Sequence, residues 1–212
     1  MKKISLKYIL SFISVFFLSV GLVGLFTSKE QIFRELSFFN LIFTFSLVLV
    51  SFRKDMSKFL KIFILIFILG YLSELIGVHT GYVFGNYSYG DHLGIKLLHV
   101  PLVIGINWAV LSIGAWSWSS VFTENKTYRI FIGGLLMLIF DLVMEPTAIN
   151  LQYWKWDAGI IPLYNYISWF LISIPALYIC SKLKLSNTGI TKTVFVSQFI
   201  FFVVLSIKVI WF

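Results

Sequence analysis

Phe59-Leu-Lys-Ile-Phe-Ile-Leu-Ile-Phe-Ile-Leu-Gly-Tyr-Leu-Ser-Glu74-Leu-Ile-Gly-Val78 decides the fold. As a helix this stretch is about 30 Å long, the thickness of a bilayer's hydrocarbon core. Six more runs are of similar length and character: Leu6 to Phe26, Gln31 to Phe52, Leu97 to Val121, Tyr128 to Ile149, Ile160 to Cys180 and Thr191 to Trp211. Lipid offers the backbone no hydrogen-bond partners, so each run is expected to be helical. No alternating pattern persists long enough for a barrel. The expectation is all-α: one polytopic membrane helix bundle over residues 1–212, with about seven transmembrane helices.

Composition agrees. Only 12% of residues are charged and 59% are hydrophobic, where soluble domains carry about 25% charge. The formal net charge is +8. The basic residues lie in short loops between apolar runs and form no stripe, which argues for membrane topology and against nucleic acid. With the N-terminus inside, twelve of the 17 basic residues fall on inner segments, among them Lys2, Lys3, Arg53, Lys126 and Lys184. The outer segments hold Lys29, Arg34, Lys96, Lys155 and Lys208, so the chain is read as N-in and C-out, multi-pass in a bacterial cytoplasmic membrane. Lys2, Lys3 and Lys7 before an apolar run suggest a signal peptide, but no small-x-small cleavage site follows, and a first membrane helix fits better. Cys180 is the one cysteine, so no intrachain disulfide forms, and a buried, inert thiol is expected.

Two outer loops are unusual. Gly77 to Gly94 holds glycines at 77, 81, 85, 90 and 94 and aromatics at 82, 84, 87 and 89. Asn150 to Gly159 holds Tyr153, Trp154 and Trp156. One reading is an aromatic belt at the interface. The other is a lid folded over a site between helices, where irregular backbone survives only beside protein or a cavity. The glycines favour a lid for the first loop; for the tryptophans both readings stand.

Ionisable groups inside spans are rare and functional by default. Glu74 lies fifteen residues into its run and Asp141 thirteen into its own, roughly 22 and 20 Å from the inner side. Glu145 is one turn further. All three reach the outer half of the bilayer at similar depth. Asp141 and Glu145, four apart, share a helix face about 5–6 Å from each other. Two carboxyls this close resist double ionisation, and a protonated carboxyl beside an ionised one is equipment for acid–base chemistry. Interhelical hydrogen bonding is the plainer alternative. Pro146 is expected to kink or end the helix and to turn Glu145 toward the interior. His79, His92 and His99 match no metal-ligand spacing, and hydrogen-bonded loop histidines are expected. Asn107, Asn165 and Trp169 are polar or amphipathic groups inside spans, expected to bond between helices or else to line a pocket. Lys208 is too near the end of its helix for a retinal Schiff base.

These pieces together form a recognisable set. Glu74-x-x-Gly77, Gly81-Tyr-x-Phe-Gly85-x-Tyr-x-Tyr89 and Val100-Pro101 with Trp108 are one half. Asp141-Leu-Val-Met-Glu145-Pro146-x-Ala148, Trp154-x-Trp156 and Pro162-x-x-Asn165 with Trp169 are the other. Over about residues 70 to 170 the set resembles the CruF-type carotenoid 1,2-hydratases, the family that includes bisanhydrobacterioruberin hydratase. The resemblance implies addition of water across the terminal C1=C2 bond of an acyclic (ψ) carotenoid end, through a tertiary cation, with no cofactor. It implies a lycopene- or γ-carotene-like substrate, water, the bilayer and other carotenoid-biosynthesis enzymes as partners. On this reading the Asp141/Glu145 pair contains the acid, and Glu74 orients water or balances the cation. His79, Tyr82, Tyr87, Tyr89, Asn107, Trp154, Trp156, Asn165 and Trp169 are the substrate-binding candidates.

Three other readings fit the same residues. A membrane lycopene cyclase begins with the same protonation and gives an isomeric product. A carboxylate-based proton or solute transporter needs a polar path to the cytoplasm, which the inner halves of the helices bearing Glu74 and Asp141 lack. A scaffold for other pigment enzymes would leave carboxylate variants active.

Overall fold

The computed structural model describes residues 5–182 and 189–211, so Lys2, Lys3 and Lys184 of the topology count lie outside the described residues. The helices are α1 (Leu6–Gly24), α2 (Glu30–Glu35), α3 (Ser37–Ser51), α4 (Met56–Thr80), α5 (Leu102–Ser119), α6 (Lys126–Asn150), α7 (Leu163–Lys182) and α8 (Gly189–Trp211). Among the described residues, six helices are long and apolar enough to cross a membrane: α1, α4, α5, α6, α7 and α8. The architecture is therefore an all-α polytopic bundle.

The second expected span, Gln31 to Phe52, is not one helix. It breaks at Leu36 into α2 and the 15-residue α3, which is about 22 Å long. The break lets the Ser37 hydroxyl meet the Tyr153 hydroxyl from the second outer loop. The fourth expected span also starts late. Residues 96–101 form a tight hairpin of β2 (Lys96–Leu97) and β3 (Val100–Pro101), and α5 begins after Pro101. A helix is disfavoured before proline, which explains the shift. Pro146 neither ends α6 nor shortens it; the helix runs on to Asn150.

Helix α5 is the axis of the bundle, with 13 of its 18 residues buried. Helices α3, α4, α6, α7 and α8 surround it, and α1 packs outside them against α8 and α3. Close approach of α4 and α5 depends on Gly70. A Cβ there would lie 2.5 Å from Cγ of Trp108, so only glycine leaves room for the indole. One apolar cluster fills the inner half, with Phe52, Phe59, Ile62, Ile113, Val194 and the buried free thiol Cys180. The other, with Phe84, Trp108, Phe140, Met144 and Trp169, floors the outer half. Polar stitches join α8 to its neighbours: Ser117 to Thr191 at 3.0 Å and Thr147 to Ser206 at 3.0 Å.

The two outer loops are knitted together. β1 (Tyr87–Tyr89) pairs antiparallel with β4 (Trp154–Trp156), in the register Tyr87 to Trp156, Ser88 to Lys155 and Tyr89 to Trp154. Backbone bonds from Gly90 N to Tyr153 O (2.9 Å) and Asp157 N to Asn86 O (3.0 Å) extend the pairing at both ends. Ser168 of α7 donates to Val83 O and fastens the first loop to the bundle. Strand segments this short carry almost no period-two signal.

Candidate active site

In a strand, alternate side chains share a face. Tyr87 and Tyr89 therefore point the same way, and so do Trp154 and Trp156. All four line one cavity under the paired strands, with Glu74 from α4, Ile104, Asn107 and Trp108 from α5, Met144 and Glu145 from α6, and Asn165 and Trp169 from α7. The cavity has a volume of about 40 Å³, room for a few waters. The loops thus form a cover over a site between helices, in line with the lid reading.

Each carboxylate facing the cavity is held by ring donors. Glu74 Oε2 accepts from the Tyr87 hydroxyl at 2.5 Å and the Tyr89 hydroxyl at 2.7 Å, and Oε1 from Trp108 Nε1 at 2.9 Å. Glu145 Oε2 accepts from Trp154 Nε1 and Trp156 Nε1, both at 3.0 Å. The Asn165 amide donates to Asp141 Oδ2 at 2.8 Å and to Glu145 Oε1 at 3.4 Å, bridging the pair on α6. Asp141 Oδ1 is buried without a hydrogen-bond partner. Asp141 does not line the cavity; it sits behind Asn165.

Glu74, Asp141 and Glu145 are 4%, 0% and 2% exposed. Among the described residues, none of the ion pairs includes them. Among the described residues, their hydrogen-bond partners are neutral N–H and O–H donors, each worth about 1.5–3 kcal/mol where the acceptor is ionised. The Tyr87 and Tyr89 phenols are pushed well above their ordinary range, by burial first and by the Glu74 charge next. They therefore stay O–H donors across physiological pH. The floor is aromatic: Trp108 and Trp169 stack with centroids 4.2 Å apart and an interplanar angle of 23°.

Of the sequence candidates, Glu74, Glu145, Tyr87, Tyr89, Asn107, Trp154, Trp156, Asn165 and Trp169 converge on the cavity, with Asp141 one layer behind. His79 and Tyr82 do not. Tyr82 follows the left-handed Gly81 that ends α4 and is 88% exposed. The exposed His79 turns to the α5 side, where its Nε2 meets Leu98 O at 3.2 Å and its ring faces His99. The role of Trp108 as a Glu74 donor was missed. Its signal was an indole beside a glycine-bearing helix, which many packed cores share.

A family model described as "Carotenoid biosynthesis protein" matches residues 35–212. A curated relative, "Bisanhydrobacterioruberin hydratase" of Haloarcula japonica, is 29% identical over 106 residues, covering 46% of this chain and 36% of the relative. The match thus spans about a third of that relative's length. No solved structure matches.

Proposed function

The chain belongs to the carotenoid biosynthesis protein family, and from that premise we propose that it is a carotenoid 1,2-hydratase acting on an acyclic ψ end. One observation carries the reading. Two carboxyl groups from different helices, Glu74 and Glu145, face one small aromatic cavity, and among the described residues neither is ion-paired.

Hydrating an isolated trisubstituted alkene begins with protonation of C2, the less substituted carbon. The acid form of the Asp141/Glu145 pair delivers that proton, through Glu145, which lines the cavity. The tertiary cation at C1 lies among the rings of Trp108, Trp169, Tyr87 and Trp156. Each desolvated face contributes roughly 2 kcal/mol to a cation. Water adds to C1, and its surplus proton passes to Glu74. Return of that proton to the α6 pair resets the site. The fixed donors on Glu74 and Glu145 are preorganised for a change of charge in a site shielded from bulk solvent. A cavity of 40 Å³ holds waters but not a terpenoid end, so the paired strands lift when substrate enters. The polyene remains in the bilayer.

The test is expression in a lycopene-producing bacterium with pigment analysis. The wild type yields carotenoid heavier by one water per reacted end. Asp141→Asn and Glu145→Gln abolish it. Well-folded variants that keep full activity overturn the acid assignment, and an isomeric product points to a cyclase.

A further inference from the structure

A second polar feature lies on the other side of α5. Gln198 of α8 is 5% exposed, yet its Oε1 accepts no hydrogen bond from the protein. A buried amide oxygen left this way costs about 1–3 kcal/mol unless water or a ligand bonds it. Gln198 lines two adjoining cavities that share it and Leu41. The outer one, about 60 Å³, has Ser37, Asn40 and Tyr153 on its wall. The inner one, about 10 Å³, has Thr44 and Asn107. Asn107 also lines the carboxylate cavity. A polar row therefore runs from the outer end of α3 through Asn40, Thr44 and Gln198 to Asn107 and the chemistry.

The volumes suit water. A cavity holds one molecule from about 10–15 Å³ upward when two or more polar groups face it. The inner cavity meets that minimum, with Thr44, Gln198 and Asn107 as the polar groups, and is far too narrow for a hydrocarbon chain. Leucine or isoleucine would fill these positions in a purely structural contact between α3, α5 and α8. The 60 Å³ cavity has room for several waters by the same measure. It ends near Ser37 and Tyr153, whose hydroxyls bond each other at the outer face of the bundle.

Resting on the hydratase reading, we propose that this row supplies water to the carboxylate cavity while the carotenoid occupies the lidded side. Asn107, backed by Gln198, positions the water that captures the cation. The lone pair of that water forms the C1–O bond. The oxonium proton leaves to the Glu74 carboxylate, C2 keeps the proton received from the α6 pair, and no oxidation state changes. Asn107 and Gln198 are positioning residues: they act on the second step and leave the first intact.

That division gives a test with its own signature. A cation formed but not captured loses a proton and returns to carotenoid. In heavy water it carries deuterium back into the unreacted pigment. Wild type, Gln198→Leu, Asn107→Leu and the near-isosteric Thr44→Val are compared in membranes supplied with acyclic carotenoid in heavy water. Correct folding is checked by gel filtration. The expected result for Gln198→Leu and Asn107→Leu is a fall of about tenfold in hydrated product, the loss of roughly one hydrogen bond's worth of positioning, while deuterium in recovered substrate persists or rises. Thr44→Val shifts the same ratio to a smaller degree, and Gln198→Glu restores hydration in part. Parallel loss of hydration and exchange in the folded variants, or no change in either, overturns the water path. If the wild type itself makes no hydrated pigment, the hydratase reading falls first, a result distinct from either.

Discussion

Tyr87 and Trp156 face each other across the two-stranded cover with ring centroids 5.1 Å apart, and each donates to a different carboxylate, Tyr87 to Glu74 and Trp156 to Glu145. The strand pairing thus sets both carboxylates at once. Anything that shifts the register moves donors on both sides of the cavity.

Removing one donor at a time should therefore weaken hydration without unfolding the bundle. Trp156→Phe keeps an aromatic ring, smaller than the indole, and deletes one N–H bond to a carboxylate, worth about 1.5–3 kcal/mol. The expected loss of hydration is about tenfold or more, with Tyr87→Phe similar. The double variant should lose less than the product of the two, because both act through one pair of strands. Initial rates of pigment hydration measure it; additive losses would show that the two sides act independently.

Gly70→Ala should act at a distance from the cover. The new Cβ meets Trp108 at 2.5 Å, so the indole moves and its 2.9 Å bond to Glu74 breaks. Overpacking of this kind costs about 1–3 kcal/mol. Thermal unfolding in detergent should show lower stability, and hydration should fall with it. Adding Trp108→Phe should restore some of the stability and none of the activity.

The turn Leu98–His99 has both residues at positive φ, 48° and 68°, a conformation suited to Asn-Gly. Tyr71, whose hydroxyl bonds Leu97 O at 2.6 Å, holds it in place. Leu98→Asn with His99→Gly should raise stability by up to about 1 kcal/mol. Because His79 and His99 lie outside the cavity, hydration should be unchanged, as it should in His79→Ala. Loss of activity in His79→Ala would return that histidine to the site.

At the outer end of α8, Lys208 Nζ bonds Leu25 O at 2.7 Å and Glu30 at 3.1 Å, and Arg34 pairs with the same carboxylate at 2.8 Å. Arg34 first, then Lys208, hold the Glu30 carboxyl below its ordinary value of 4.5. A depressed carboxylate stabilises the fold above its unfolded pKa and loses that contribution as pH falls through the folded one. The pairs are partly exposed, so the effect is small, at most about 1 kcal/mol. The stability gap between wild type and Glu30→Gln should be constant near neutral pH and close below about pH 4. A gap that widens in acid would contradict the pairing.

Much of this was legible in the residues. Length and hydropathy placed most of the helices, and two carboxylates four apart with a third at similar depth marked the candidate site. The apolar pattern of Gln31 to Phe52 could not reveal the break at Leu36, because the Ser37 to Tyr153 contact beside it spans over a hundred residues of sequence. The strand pairing was hidden for the same reason: three residues of alternation in each loop are ambiguous until the loops meet. Asp141 and Glu145 looked equivalent on a helical wheel; only packing against Asn165 puts one on the cavity wall and the other behind it. Gln198 went unnoticed because an uncharged amide in an apolar helix resembles an ordinary interhelical contact.

The central claim is addition of water at C1 by this chain's own carboxylates. It is tested most directly by supplying acyclic carotenoid to membranes holding the wild type or Glu145→Gln in oxygen-labelled water. The account predicts one labelled hydroxyl per reacted end with the wild type and none with the variant. Unlabelled or isomeric pigment from the wild type, or equal labelling by a folded Glu145→Gln, would contradict it.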